Sequence, residues 1–383
     1  MKMGTFYEFF AGGGMARAGL GPNWECLFAN DFDAKKAASY ALNWGVDHLK
    51  IGDVAAVTTA DLASCADLAW ASFPCQDLSL AGAGAGLKGE RSGTFWPFWK
   101  LMTKLGEEGR APRLIVLENV CGALTSHGGK DFAAIGAALS DAGYRYGAVV
   151  VDAVDFVPQS RPRLFIIGVH RSQSIPESLV APAPDPNWHS AALIGAYEGL
   201  AKGCHEAWIW WRLPAPPARN TVFADLVEES PQGVQWHSPE QTRKLLDMMS
   251  AVNRAKVSAA KKAGRCMVGT IYKRTRLDET GAKVQRAEIR FDDIAGCLRT
   301  PSGGSSRQVI MLVDGEKVRS RLISPREAAR LMGLPDEYRL PDNYNEAYHL
   351  AGDGVAVPVV RFLAANILEK IISVRCANGK IAA

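Results

Sequence analysis

Phe6-Tyr-Glu-Phe-Phe-Ala-Gly-Gly-Gly-Met15 decides the fold. Its apolar run reads as a buried strand, its glycines as a sharp turn, and Ala16-Arg-Ala18 as the start of a helix. Glycines at such a turn let the backbone approach a ligand closely. The next apolar run, Trp24-Glu-Cys-Leu-Phe-Ala-Asn-Asp31, reads as a second strand, and a helical stretch follows from Asp33 to Asn43. It ends in an acid about 20 positions after the turn, which suits a ribose hydroxyl pair. A full G-x-G-x-x-G phosphate fingerprint is missing, which favours a nucleoside cofactor without a pyrophosphate. S-adenosyl-L-methionine fits this better than NAD.

Outward from this unit, Ile51-Gly-Asp53-Val54 is another turn carrying an acid. Ala69-Trp-Ala-Ser-Phe-Pro-Cys-Gln-Asp-Leu-Ser79 follows, an apolar strand ending in Pro74-Cys75 before the glycine-rich stretch Leu80–Gly93. A thiol at the carboxyl end of a parallel strand lies on the edge where open α/β sheets place ligands. Taken alone it reads either as a nucleophile or as a buried free cysteine. After a helical stretch from Thr94 to Leu105, Arg113-Leu-Ile-Val-Leu-Glu118-Asn119-Val120 ends a further apolar strand in a carboxylate and an amide. If the two strands are parallel, Glu118 shares the edge of Cys75 and can serve as an acid or base. A helix over 131–142 and a strand over 144–151 precede Gln159-Ser-Arg161-Pro-Arg163, which leads into a last apolar strand. At alternate positions of extended chain the two arginines are expected to face one way, offering planar donors to a carbonyl or phosphate.

Past His170 the composition changes. Proline and tryptophan accumulate between Ala181 and Pro217, and strand–helix alternation stops, which marks a domain boundary. A helix is expected over 241–260. From Arg243 to Arg307 there are 15 lysines and arginines against 6 acids, while the rest of the chain carries 29 against 34. Within the basic segment Tyr272-Lys-Arg274-Thr-Arg276 sets cations around an aromatic, as phosphate contacts require. In the loop Thr300–Val309, Arg307 and Gln308 could supply donors to phosphate and base edges. Ser324-Pro-Arg-Glu327 carries the signature of a capped helix start.

The 383 residues, 48% hydrophobic and 22% charged, form one large or two ordinary domains. No apolar run approaches a membrane span, and Glu8 interrupts the N-terminal apolar stretch too early for a signal peptide. Eight cysteines without a C-x-x-C pair indicate a reduced, cytoplasmic protein with no structural metal.

One chemistry accounts for these pieces together. Cytosine C5 is a poor nucleophile, and adding a thiolate at C6 makes it enamine-like. An acid on the Watson–Crick edge and an arginine at O2 assist the addition, and a base buried in a duplex must be flipped out to be reached. Cys75, Glu118 and Arg163 would serve, with a mobile loop over 82–93 closing behind the base.

In these motifs the chain resembles the DNA (cytosine-5) methyltransferase family: Phe10-Ala11-Gly12-Gly-Gly14, Asp31, Asp53, Phe73-Pro-Cys75-Gln76, Glu118-Asn-Val120, Gln159-x-Arg161-x-Arg163, Arg321 to Pro335, and Gly352-Asp353-Gly354-Val to Val359. The resemblance implies an α/β, Rossmann-like class I methyltransferase sheet with an inserted, smaller target-recognition domain. The expected divisions are 1–170 for cofactor binding and catalysis, 171–320 for DNA, and 321–383 returning to the catalytic domain. It implies Cys75 as nucleophile, Glu118 as acid, Arg163 as base-orienting group and Arg161 as a brace for the loop or a DNA phosphate. Asn119 would brace the local backbone. Phe10, Ala11, Gly12, Gly14, Asp31, Phe32, Asp53, Val54, Pro74, Phe95, Asp353 and Gly354 would hold S-adenosyl-L-methionine. Gln76, Ser79, Arg91, Arg274, Arg276, Arg307 and Gln308 would meet double-stranded DNA, and the enzyme would act as a monomer. Glu8 stands where the family usually has Asp, and Asp353 where it commonly has Asn; a carboxylate there could tune cofactor affinity or face solvent. Two rivals remain: a tRNA cytosine-5 methyltransferase of the same fold, and a catalytically inactive DNA-binding protein. The residues specify neither the target sequence nor a companion restriction system.

Overall fold

The computed structural model describes residues 3–62, 64–74, 94–300 and 307–378. Its residues divide into two compact units, one formed by residues 1–152, 162–216 and 355–383, the other by 153–161 and 217–354.

The first unit is built on a seven-stranded sheet: β1 (Gly4–Phe9), β2 (Trp24–Asp31), β3 (Leu49–Ile51), β4 (Leu68–Ala71), β5 (Leu114–Val120), β6 (Tyr144–Asp152) and β7 (Pro162–His170). Their order is β3-β2-β1-β4-β5-β7-β6. The β2–β1–β4–β5 core is parallel, as its strand–helix alternation requires. β7 runs antiparallel to both β5 and β6. Its first residues therefore lie on the edge where β4 and β5 end, and this reversal positions the site. All four residues of β4 are fully buried, and covering each large apolar side chain contributes about 1.5–3 kcal/mol.

Helices α1 (Met15–Leu20), α2 (Ala34–Trp44), α3 (Phe95–Glu107) and α4 (Lys130–Asp141) connect these strands. In α3 the buried residues Phe95, Phe98, Trp99, Met102 and Leu105 recur at helical spacing. Two short strands, β8 (Val180–Ala181) and β9 (Trp210–Trp211), pair with each other, with α5 (Ala191–Glu198) and α6 (Lys202–Ala207) between them. Ile209 N donates to Tyr146 O at 2.7 Å, and a Cβ on Gly147 would stand 1.9 Å from Ile209 O. Only glycine admits this approach, and it ties residues 171–216 to the first unit. The division by contacts thus falls near Pro216 rather than at 170.

The second unit holds α7 (Pro239–Asp247), α8 (Ala251–Lys261) and an antiparallel sheet of β10 (Met267–Leu277), β11 (Lys283–Arg290), β12 (Val309–Asp314) and β13 (Lys317–Leu322), in the order β11-β10-β12-β13. The helix expected over 241–260 is two helices. Met248 O accepts Ala287 N of β11 at 3.1 Å and buried Met249 turns inward, so the chain bends before α8 begins.

Next come α9 (Pro325–Arg330), whose Ser324 and Glu327 form the expected reciprocal cap, and α10 (Tyr344–Asp353). Residues 321–354 thus belong to the second unit, and the return to the first begins at Val355. There α11 (Val357–Leu363) packs on α1, and a π turn, Ala364–Leu368, leads into α12 (Glu369–Asn378).

Candidate active site

The carboxyl edge of the first unit gathers two groups of predicted residues. The first follows β1 and β2. Phe10 and Gly12 have φ of 57° and 55°, and Gly14 has φ of 76°. A Cβ on Gly14 would also stand 2.4 Å from Trp44 Nε1, so conformation and space both require glycine. Ala11 is buried, whereas nothing lies within 4 Å of where a Cβ on Gly12 would stand.

Asp31 Oδ2 accepts Gly12 N at 2.7 Å and Oδ1 accepts Asp33 N at 2.8 Å. Burial pushes this carboxyl above its ordinary range, and the two N–H donors oppose the shift. A carboxylate has about four lone-pair sites, so Asp31 retains capacity for hydroxyl donors. Phe32 beside it is 75% exposed, which is unusual for so large an apolar ring. Exposed Asp53 caps the turn that follows it through Ala55 N at 2.8 Å, and Val54 is buried. An open glycine turn, an acid and a bare aromatic ring fit a nucleoside.

The second group lies where β4, β5 and β7 meet. Val120 pairs with Arg163 across the β5–β7 ladder, and Arg163 Nε lies 3.3 Å from Glu118 Oε1. Both side chains are largely buried, which strengthens the attraction. Asn119 Nδ2 donates to Phe73 O at 3.3 Å and its Oδ1 accepts Val120 N at 2.8 Å. Asn119 thus fixes the strand end that leads through exposed Pro74 towards Cys75. Cys75, Gln76, Ser79 and Arg91 lie outside the described residues. Cys121 follows β5 directly; burial raises its thiol pKa and Arg163 opposes this.

Several expectations are corrected. Phe95, expected to line the cofactor site, is fully buried, with its ring 5.5 Å from that of Phe73 and stacked on Trp99. It supports the strand end from within the core. Arg161 and Arg163 do not face one way, because Arg161 precedes β7 and belongs to the second unit. Its buried guanidinium donates to the carbonyls of Leu298 at 2.9 Å, Gly352 at 2.8 Å and Gly354 at 2.7 Å. It binds backbone, not phosphate.

Gln308 is fully buried, accepting Tyr272 Oη–H on Oε1 at 2.5 Å, so it cannot reach a base edge. The Arg307 guanidinium stands 5.6 Å from the centre of the Tyr344 ring and bonds Asn345. Asp353, at the end of α10, is exposed and accepts the Thr300 hydroxyl. Arg274 and Arg276 are half exposed, and both pair with Glu288.

Sequence reasoning missed Arg286 as a placed residue. The signal available was the run Lys273-Arg274-Thr275-Arg276, three cations after an apolar stretch, which marks an exposed strand end whose partner must be read as well. Among the described residues no cluster of three or more metal-ligating side chains occurs, and no helix is long and apolar enough to cross a membrane. A cavity of about 990 Å³ opens on the opposite edge of the seven-stranded sheet, beside Asp67, Arg113, Tyr144 and His170, and contains none of the expected site residues.

Comparison with known proteins agrees with this architecture. The profile of C-5 cytosine-specific DNA methylases matches residues 4–369. The chain is 26% identical to the type II methyltransferase M.HpaII of Haemophilus parainfluenzae over 388 residues, covering 96% of this chain and 90% of that protein. It is 23% identical to the type II methyltransferase M.HhaI of Haemophilus parahaemolyticus, covering 94% and 93%. The crystal structure of S. pombe Dnmt2 methyltransferase superposes with a TM-score of 0.59 at 16% identity, covering 97% of this chain and 98% of that one. A putative DNA modification methyltransferase from an E. coli prophage gives 0.56 at the same identity. These two structures share the fold. With its profile matched over nearly the whole length, the chain belongs to the C-5 cytosine-specific DNA methylase family.

Proposed function

We propose that this enzyme methylates C5 of a flipped-out cytosine in a specific duplex DNA sequence, through a covalent bond between Cys75 and C6. The observation that carries the reading is the Glu118–Arg163 pair, held at the strand edge beside the Phe73-Pro74 end that Asn119 fixes.

In this reading the Cys75 thiolate adds to C6, and electron density moves into the ring towards C5 and N3. The Glu118 carboxyl hydrogen-bonds N3. The Arg163 guanidinium fixes that carboxyl and supplies positive charge where the ring gains electrons. Because both groups are set before the base arrives, little reorganisation opposes the addition. Once C5 has gained the methyl group, its proton is lost to water or hydroxide, the C5–C6 double bond re-forms, and the S–C6 bond breaks to free the Cys75 thiolate.

S-adenosyl-L-methionine, when bound, supplies the electrophilic methyl group. Gly12, Asp31 and Phe32 would hold its nucleoside part: the turn by close approach, the acid through ribose hydroxyls, the ring against adenine.

Incubating the purified protein with methyl-labelled cofactor and either duplex DNA or tRNA tests the reading. Label on C5 of cytosine in DNA is expected. Label confined to tRNA, or binding without transfer, overturns it in favour of the RNA enzyme or the inactive binder.

A further inference from the structure

β10 pairs with β12 only from Met267 to Ile271, yet its ladder with β11 continues to Leu277 opposite Lys283. From Tyr272 onward the two strands therefore leave the sheet as a ribbon, about 20 Å long at strand spacing. Its tip is ordered. Asp278 Oδ1 accepts the N–H groups of Thr280 at 2.9 Å and Ala282 at 3.0 Å, and Gly281 takes φ of 81°.

Direct partners in an antiparallel ladder share a face. Arg274 stands opposite Arg286, on the face that also carries Arg276 and Glu288. Like charges directly opposed weaken a ladder. Glu288 pairs with two of the three arginines, with Oε2 3.4 Å from Arg274 Nε and Oε1 2.5 Å from Arg276 Nη2, and one carboxylate against three guanidinium groups leaves this face cationic. The other face carries Lys273 and Lys283, with Leu277 69% exposed at the tip.

Charges on an edge strand commonly serve only to prevent aggregation. That accounts for Lys283 and Arg286 on β11. It does not account for two arginines set directly opposite each other, Arg274 and Arg286, or for an exposed leucine at the end of a polar arm.

We infer that this ribbon enters the major groove of the DNA substrate and that its arginine face reads guanine. The inference rests on the duplex-DNA function proposed above and names the element that chooses the sequence. The B-DNA major groove, about 12 Å wide, admits a two-stranded ribbon. Arginine donating to guanine O6 and N7 is the commonest specific contact there. Glu288 sets the planes of Arg274 and Arg276 in advance, which reduces the ordering cost of a bidentate contact. Lys273 and Lys283 meet phosphates, fixing position without reading sequence.

The test is bisulfite sequencing of genomic DNA from a methylation-free host expressing the full chain or its variants. Arg286→Lys, Arg286→Gln and Arg274→Gln are expected to extend methylation to sites altered at a guanine position, with discrimination there falling about 10-fold. Arg286→Lys retains the charge, so a phosphate contact alone would leave the motif intact. Lys273→Ala and Lys283→Ala are expected to lower methylation equally at all sites and to reduce the salt dependence of DNA binding by about one unit of slope each. Thermal melting of each variant checks that it folds.

Arginine variants that keep the motif, with methylation unchanged or uniformly reduced, overturn the inference while leaving the proposed function standing. A wild-type chain that methylates no DNA overturns the proposed function and the ribbon's role together.

Discussion

Arg163 meets Glu118 because β7 runs against β5: the arginine lies one residue into its strand, opposite Val120, with Nε 3.3 Å from the carboxylate. In a wholly parallel sheet the start of β7 would lie on the opposite edge, about 20 Å away. The two groups are expected to act as a unit. Glu118→Gln should lower the methyl-transfer rate by about 10²–10⁴-fold at unchanged DNA affinity. Arg163→Lys should add less to the Glu118→Gln loss than it costs alone, because removing the carboxylate removes its partner. Single-turnover kinetics on the four proteins of the cycle measure this coupling; fully additive losses would show that the two groups work independently.

Cys75→Ser is expected to abolish turnover while DNA binding survives, since a hydroxyl of ordinary pKa cannot add to C6. Gel-shift titration and labelled-methyl transfer separate the two effects. A serine variant with substantial activity rules out covalent catalysis by this residue.

Asn119→Ala removes the hydrogen bond to Phe73 O without touching the reacting groups. It should cost about 1–3 kcal/mol of stability and reduce kcat more than it changes KM for DNA. Denaturant melts and steady-state kinetics on the same preparation test this positioning role, and a kcat equal to wild type refutes it.

Arg161→Ala leaves three carbonyls of the second unit without their donor in a buried site. The loss should reach at least about 3 kcal/mol and appear as a lower Tm in the absence of DNA. A phosphate-binding arginine would instead alter DNA affinity and leave the melt unchanged.

Glu8 is buried and accepts Arg17 N at 3.2 Å, and burial raises its carboxyl pKa to about 8. The folded protein therefore holds a proton that the unfolded chain releases near its ordinary value of 4.5. This contribution is fully present below 4.5 and declines as pH rises, until both states have ionised above about 8. Glu8→Gln should flatten the loss of stability between pH 5 and 8, as urea unfolding at several pH values would record. Parallel profiles for wild type and variant would show that Glu8 does not titrate in this window.

Much of the fold was legible in order and spacing. Strand, glycine turn, helix and Asp31 are local patterns, and local patterns survive in one dimension. So are the reciprocal cap of Ser324 with Glu327 and the apolar strands that end at Ala71 and Val120. The sequence by itself therefore determined an α/β sheet whose first strand runs into a glycine turn, with Glu118 near the carboxyl end of another strand. It also concentrated positive charge between Arg243 and Arg307.

Only tertiary structure decided which polar residues are available to act. Arg161 and Arg163 are two positions apart, yet one clamps buried carbonyls and the other meets Glu118. Gln308 and Arg274 both read as DNA contacts, but one is closed inside the second unit and the other lies on a ribbon clear of the sheet. The physical reason is that a side chain's partners depend on strand direction, register and burial. Residues well beyond one turn or one strand away in the chain set these, as far as 191 positions for Arg161 and Gly352, and short-range periodicity carries no record of them.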